Sequence, residues 1–102
     1  MVSVSEFARL IQDNAIVLVD FWAEWCPHCL SLMPQVDSIS KELSGKVSVV
    51  KVNAGEAADV ASQFDVTSLP TFLIFKNGEL IDRFNGSTTA FELKQKVLAA
   101  TE

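Results

Sequence analysis

The sequence contains few of the residues from which metal and cofactor sites are built. Its 102 residues include two cysteines, one histidine and no tyrosine. Two cysteines are too few for the disulfide framework of a small secreted protein, and a single histidine excludes most His-built metal sites. Neither a GxxxxGK nor a GxGxxG loop is present, so no phosphate-binding motif is found. We therefore expect no metal and no cofactor.

Basic residues and long apolar runs are also scarce. Eight Lys and Arg stand against 13 Asp and Glu, which gives a net charge of −5. An acidic chain repels phosphate backbones, so nucleic acid is not an expected partner. No apolar run reaches the ~18 residues of a membrane span, and the residues from Met1 to Glu6 do not resemble a secretory signal. We therefore predict a cytoplasmic protein that does not bind membranes.

The composition suits a folded protein. Hydrophobic residues make up 49% of the chain and charged residues 21%, from which we expect a single domain over residues 1–102 and a monomer. Ser3 with Glu6, and Thr89 with Glu92, form capping-box patterns that mark the starts of helices. In chain order the apolar periodicity predicts a helix over 3–13, a strand over Ile16–Trp22, a helix over 26–44, a strand over 46–52, a short helix over 57–64, a strand over Thr71–Lys76, a strand over 79–84 and a helix from Thr89.

The order of these elements predicts an α/β fold. Helical connections between Val-rich strands favour parallel pairing. Asn77-Gly78 is a strong hairpin signal and adds an antiparallel pair. The sequence therefore predicts a mixed β-sheet covered by helices on both faces.

The two cysteines lie three positions apart at a predicted helix start. Cys26 follows a buried strand closely and opens a helix, where unpaired N–H groups and the helix dipole favour a thiolate. Cys29 lies one turn further on, on the same face and close enough for a disulfide. Cys26 is therefore the candidate nucleophile and Cys29 the candidate resolving cysteine. Trp25, just before the helix, offers an apolar rim to a protein partner.

The cysteines could instead be inert core residues or zinc ligands. Inert core cysteines are disfavoured because Pro27 and His28 between them form a helix-start turn rather than an apolar stripe. A structural zinc site needs four ligands, and the chain offers at most Cys26, Cys29 and His28.

Further motifs accompany the cysteine pair in a fixed order. They are Val19-Asp20-Phe21-Trp22-Ala23-Glu24-Trp25-Cys26, then Pro34, Leu69-Pro70-Thr71, Phe75-Lys76-Asn77-Gly78 and finally Gly86. Together they resemble the thioredoxin family along nearly the whole chain. The resemblance implies the thioredoxin fold, with a central mixed sheet of four main strands flanked by four helices. Only about three residues precede the first helix, so we expect the family's N-terminal edge strand to be vestigial or absent.

The resemblance implies a thiol–disulfide oxidoreductase. The Cys26–Cys29 pair would exchange disulfides with client proteins and be reduced again by a thioredoxin reductase or a similar electron donor. Asp20 would accept the proton of Cys29, with Lys51 as its partner. From the residues alone, Asp20 could also be a strand-end residue paired with Lys51.

The resemblance also implies a client-binding surface. The loop Ser68-Leu69-Pro70, with a cis bond before the proline, would lie against the cysteines. It would offer backbone groups to an extended client peptide, and Trp25 and Gly86 would complete the binding surface.

The dipeptide between the cysteines departs from the family. Typical thioredoxins carry Gly-Pro there, whereas Pro27-His28 resembles the periplasmic disulfide donors. Pro27 suits the first helical position, and His28 contributes an N–H and a possible positive charge that both stabilise a Cys26 thiolate. We therefore predict a disulfide more oxidising than that of ordinary thioredoxin.

Other readings of the departure stay open. His28 could be a solvated residue without effect. The protein could be a disulfide donor or isomerase in an oxidising compartment, or a binding subunit that uses the thioredoxin surface without redox turnover.

Overall fold

The computed structural model describes residues 4–86 and 88–102. These ranges contain four helices and four strands, in the order α1 Val4–Asp13, β1 Ile16–Trp22, α2 Pro27–Glu42, β2 Ser48–Asn53, α3 Ala58–Gln63, β3 Thr71–Lys76, β4 Glu79–Asn85 and α4 Ala90–Ala100. The predicted cap at Ser3 and the expected remnant of an N-terminal strand lie outside the described residues. None of the helices in the described ranges has the length and apolar character of a membrane span.

Local signals explain where two of the helices begin. Thr89 accepts a hydrogen bond from the N–H of Glu92 at 3.1 Å, which confirms the predicted cap of α4. Cys26 is extended and caps α2, and Pro27 takes the first helical position, where its missing N–H costs nothing. Pro34 lies inside α2, which continues past it to Glu42 rather than to residue 44 as predicted.

The four strands form one sheet in the order β2-β1-β3-β4. β1 and β2 are parallel, as predicted, and β3 and β4 form the predicted antiparallel hairpin. Asn77 and Gly78 adopt φ of 53° and 83° at its turn.

The prediction of parallel pairing is wrong for β3, which lies on the other side of β1 and runs antiparallel to it. The six residues of α3 span only ~9 Å, too short to return along a strand of ~20 Å. The chain therefore crosses the end of the sheet, and β3 begins at the end where β2 stops.

Alternate residues of β1 face opposite layers of the molecule. Val17, Val19 and Phe21 belong to a core with residues of α1 and α3. Leu18 belongs to a second core with residues of α2 and α4. Because side chains alternate along a strand, Asp20 faces the α2 side, two residues beyond Leu18.

Candidate active site

A disulfide joins Cys26 and Cys29 at the start of α2, with a Cα–Cα separation of 5.3 Å. The backbone N–H of Cys29 donates to Sγ of Cys26 at 3.2 Å, so the cap of the helix is itself a redox sulfur. The N–H of Cys26 donates to the carbonyl of Ala23 at 3.2 Å, which closes the turn between β1 and α2. The predicted bond from the N–H of His28 to a Cys26 thiolate stays a prediction for the reduced form.

The disulfide is buried among apolar residues. Cys26 is 7% exposed and Cys29 2%. Both pack with Ala23, and Leu69 lies against this cluster. Trp25, immediately before Cys26, is 74% exposed. The site is therefore a buried disulfide beside a projecting indole ring.

His28 is held by contacts on both ring nitrogens. Its Nε2 contacts the carbonyl oxygen of Gly86, and its Nδ1 lies 3.2 Å from Oγ of Ser31. The Ser31 hydroxyl donates to the backbone oxygen of His28 at 2.8 Å. Because a carbonyl can only accept, Nε2 carries a proton in this arrangement.

The loop before β3 lies against the disulfide, since Leu69 packs on the cysteines. The Leu69–Pro70 peptide bond is cis, as the resemblance implied. The hydroxyl of Thr71 donates to the carbonyl of Ser68 at 2.7 Å. A Cβ on Gly86 would lie 2.8 Å from Cδ of Pro70, so only glycine fits at that position without displacement.

Asp20 is a buried carboxyl group. It is 1% exposed, and its Oδ1 has no hydrogen-bond partner among the described residues. Burial raises the pKa of Asp20 to about 7, an effect that the charge of Lys51 opposes and the charge of Asp37 reinforces. The group therefore exchanges its proton near neutral pH.

Lys51 forms its direct ion pair with Asp37, whereas Asp20 was its expected partner. Lys51 stands opposite Asp20 in the parallel register of β1 and β2. Its Nζ, however, lies 2.5 Å from Oδ1 of Asp37 on α2. The charge of Lys51 therefore lowers the pKa of Asp20 without a direct ion pair between them. The carboxylate in direct contact with Lys51 is that of Asp37 on α2.

The family model named Thioredoxin matches residues 1–99. The chain belongs to the thioredoxin family. It is 48% identical over 82 residues to a thioredoxin of Rickettsia felis, covering 79% of this chain and 78% of that one. It is 43% identical over 95 residues to thioredoxin 1 of Nostoc, covering 92% and 89%. The structure of thioredoxin from Plasmodium falciparum superposes with a TM-score of 0.90 at 35% identity, covering 97% of this chain and 95% of that one.

The comparisons and the disulfide confirm the predicted thioredoxin fold and chemistry. The protein is a thioredoxin-type thiol–disulfide oxidoreductase. Conversion of its dithiol form to its disulfide form gives up two electrons, and the reverse conversion takes up two.

Three residues in or near the site were not identified from the sequence. Ser31 stands three positions after His28, the spacing at which helical side chains meet, so a signal was present. Asp37 stands eight positions, about two turns, after Cys29 and so faces a similar side of α2. Arg83 donates from its guanidinium to the backbone carbonyls of Phe64 and Asp65, and no local pattern indicates that contact.

Proposed function

We propose that this thioredoxin exchanges disulfides with client proteins through Cys26 as nucleophile and Cys29 as resolving cysteine. The supporting observation is that Cys26 caps α2, where backbone N–H groups and the helix dipole stabilise a thiolate. The Cys26 thiolate attacks a client disulfide, forms a mixed disulfide and releases one client thiolate. Cys29 then attacks Sγ of Cys26 and releases the second. The client disulfide gains two electrons, and the cysteine pair loses two.

We place Asp20 behind Cys29 as the group that accepts its proton. Leu18 of β1 and Leu32 of α2 share one core cluster. Asp20 lies ~6.6 Å beyond Leu18 towards the end of β1, and Cys29 lies ~4.5 Å before Leu32 towards the start of α2. Since α2 starts just after β1 ends, Asp20 and Cys29 fall in the same layer. A pKa of about 7 lets the carboxyl group accept that proton at neutral pH.

The client segment lies across the loop Ser68-Leu69-Pro70, between Trp25 and Gly86. Leu69 already packs on the cysteines, and Trp25 projects beside them. A thioredoxin reductase or a similar electron donor restores the dithiol. We assign this activity to the cytoplasm, where client disulfides are transient and a reductant is needed.

Trapping the mixed disulfide tests the two cysteine roles. Cys29→Ser should accumulate a covalent complex with a disulfide client through Cys26, because no resolving thiol remains. Cys26→Ser is the matched control and should trap little. Equal trapping by both variants would contradict the assignment, and trapping by neither would point to a binding subunit without redox turnover.

Asp20→Asn tests the proton acceptor. With the fold retained, the variant should form the mixed disulfide normally and resolve it more slowly at pH 7. Rapid-mixing kinetics separate the two steps. Resolution at the parent rate would show that Asp20 is structural only.

We also propose that Pro27-His28 makes the disulfide more oxidising than in ordinary thioredoxin. Ordinary thioredoxin lies near ~−270 mV, and ~30 mV corresponds to ~1.4 kcal/mol for two electrons. The N–H of His28 and the positive charge of its imidazolium form both favour the thiolate of Cys26, so we expect a potential of roughly −250 to −180 mV on that scale. Equilibration with glutathione measures the reduction potential of the Cys26–Cys29 disulfide. Pro27→Gly with His28→Pro should shift the potential towards −270 mV, and an unshifted potential would refute the role of the dipeptide.

A further inference from the structure

The disulfide has one closed flank. On that side Nε2 of His28 contacts the carbonyl of Gly86. A Cβ added to Gly86 would lie 2.8 Å from Cδ of Pro70 and 3.0 Å from Cδ2 of His28. These three residues therefore leave no room for a client side chain between them.

An open groove lies beside Trp25 and Leu69. There Trp25, Ala54, Asp65, Thr67, Ser68 and Leu69 line part of a cavity of about 450 Å³, here called the Trp25 groove. Leu69 also packs on the cysteines, so one wall of the groove adjoins the disulfide. The groove therefore offers space beside the cysteines.

The walls around Trp25 carry negative charge without a counter-ion. Asp65 lines the Trp25 groove, and Glu24 and Glu56 line a smaller cavity of about 160 Å³ that shares Trp25. Neither lining contains a Lys or Arg. Within residues 4–86 and 88–102, no hydrogen bond or ion pair engages these three carboxylates. Arg83, which approaches Asp65, donates to its backbone carbonyl instead.

We propose that the preferred clients present a Lys or Arg side chain beside the reacting cysteine, and that this side chain lies in the Trp25 groove. The exposed face of Trp25 attracts a cation, and Asp65, Glu24 and Glu56 supply the opposite charge. The inference rests on the proposed exchange with client proteins and adds a preference for basic segments.

Chromogenic peptide disulfides test this preference. Three peptides carry one cysteine as a mixed disulfide with thionitrobenzoate and differ only in a neighbouring Lys, Ala or Glu. The measured quantity is the second-order rate constant with the reduced protein. An exposed ion pair is worth up to ~1 kcal/mol, which corresponds to a rate ratio of about fivefold, so the Lys peptide should react faster than the Glu peptide by up to about fivefold at low salt. The ratio should fall towards one at 1 M salt, where the Debye length is ~3 Å.

Matched variants separate the groove from net charge. The triple variant Glu24→Gln, Glu56→Gln, Asp65→Asn should bring the Lys-to-Glu ratio close to one. The control triple variant Asp13→Asn, Glu79→Gln, Glu102→Gln removes the same charge from exposed sites outside both cavities and should keep the parent ratio.

The possible failures are distinguishable. Equal rates for the Lys and Glu peptides at low salt would overturn the inference. So would a ratio that both triple variants lower equally, because net charge alone would then explain it. If the neutral peptide fails to react with the parent protein and Cys29→Ser traps no client, the proposed function itself is wrong.

Discussion

Replacing Asp20 by Asn removes a carboxyl group that the fold holds in an unfavourable environment. Burial raises its pKa from an ordinary 3.8 to about 7. Each pKa unit is worth ~1.4 kcal/mol, so the difference of roughly three units corresponds to ~4 kcal/mol. Asn has nearly the same shape and no charge, so the variant avoids this cost.

The sign of the effect depends on pH. Because the pKa is raised on folding, the folded protein binds more protons than the unfolded chain between pH ~4 and ~7. The stability of the parent therefore falls as pH rises through that window, and the full cost is present above pH 7. We expect Asp20→Asn to gain about 3–4 kcal/mol relative to the parent between pH 4 and pH 8.

Denaturant unfolding of the oxidised proteins measures this difference. The free energies of unfolding of parent and variant are measured at several pH values from 4 to 9. The test uses how the difference between these two free energies changes with pH. That change cancels any constant cost of burying the amide. Asp13→Asn, at an exposed position, is the control. Its free energy of unfolding should stay within ~0.5 kcal/mol of the parent value at every pH.

One result would refute the reasoning. If the difference in free energy of unfolding between parent and Asp20→Asn stays constant from pH 4 to pH 8, Asp20 does not titrate with a raised pKa. Its assignment as a proton acceptor at neutral pH would then lose its electrostatic basis.

Three further predictions follow from other contacts. Limiting iodoacetamide at pH 7 should label Cys26 of the reduced protein before Cys29, as read by peptide mass spectrometry, and the reverse order would contradict the roles. Gly86→Ala should lower the free energy of unfolding by about 1–3 kcal/mol, because its Cβ would approach a proline ring to 2.8 Å. Gly55→Ala, with a nearest contact at 3.3 Å to a side chain, should cost less in the same measurement. Thr89→Ala should cost ~1 kcal/mol in urea unfolding through loss of the cap, and Thr89→Ser should restore most of it.

Local signals were sufficient where a short pattern determines the conformation. The turn at Asn77-Gly78 needs positive φ at both residues, which Asn and Gly tolerate best. Thr89 and Cys26 cap their helices because each stands directly before a helical run. In these cases the residues that fix the structure are near neighbours in the sequence.

The order and direction of the strands needed information beyond local patterns. β1 and β3 are both almost continuously apolar, since each is covered on both faces. Such a run indicates burial but says nothing of which strand lies beside it. The length of α3 was the relevant signal, because six residues cannot return the chain for a parallel partner.

The environment of Asp20 was only partly predictable for a similar reason. The apolar run around it indicated burial, and hence a raised pKa. Its electrostatic partners come from two other elements, since Lys51 belongs to β2 and Asp37 to α2. Their mutual contact at 2.5 Å depends on how the helix packs over the sheet.

The ion pair between Lys51 and Asp37 bears directly on the proton transfer. A lysine that contacted Asp20 directly would hold its pKa well below neutral, and the carboxylate would then be a weak base. Because Asp37 takes the ammonium group, Lys51 opposes the effect of burial only in part. The pKa of Asp20 consequently stays near 7, where a group accepts and releases a proton most readily at neutral pH. The cost in stability and the proposed catalytic use of Asp20 thus have one origin, a buried carboxyl group whose nearest cation is engaged elsewhere.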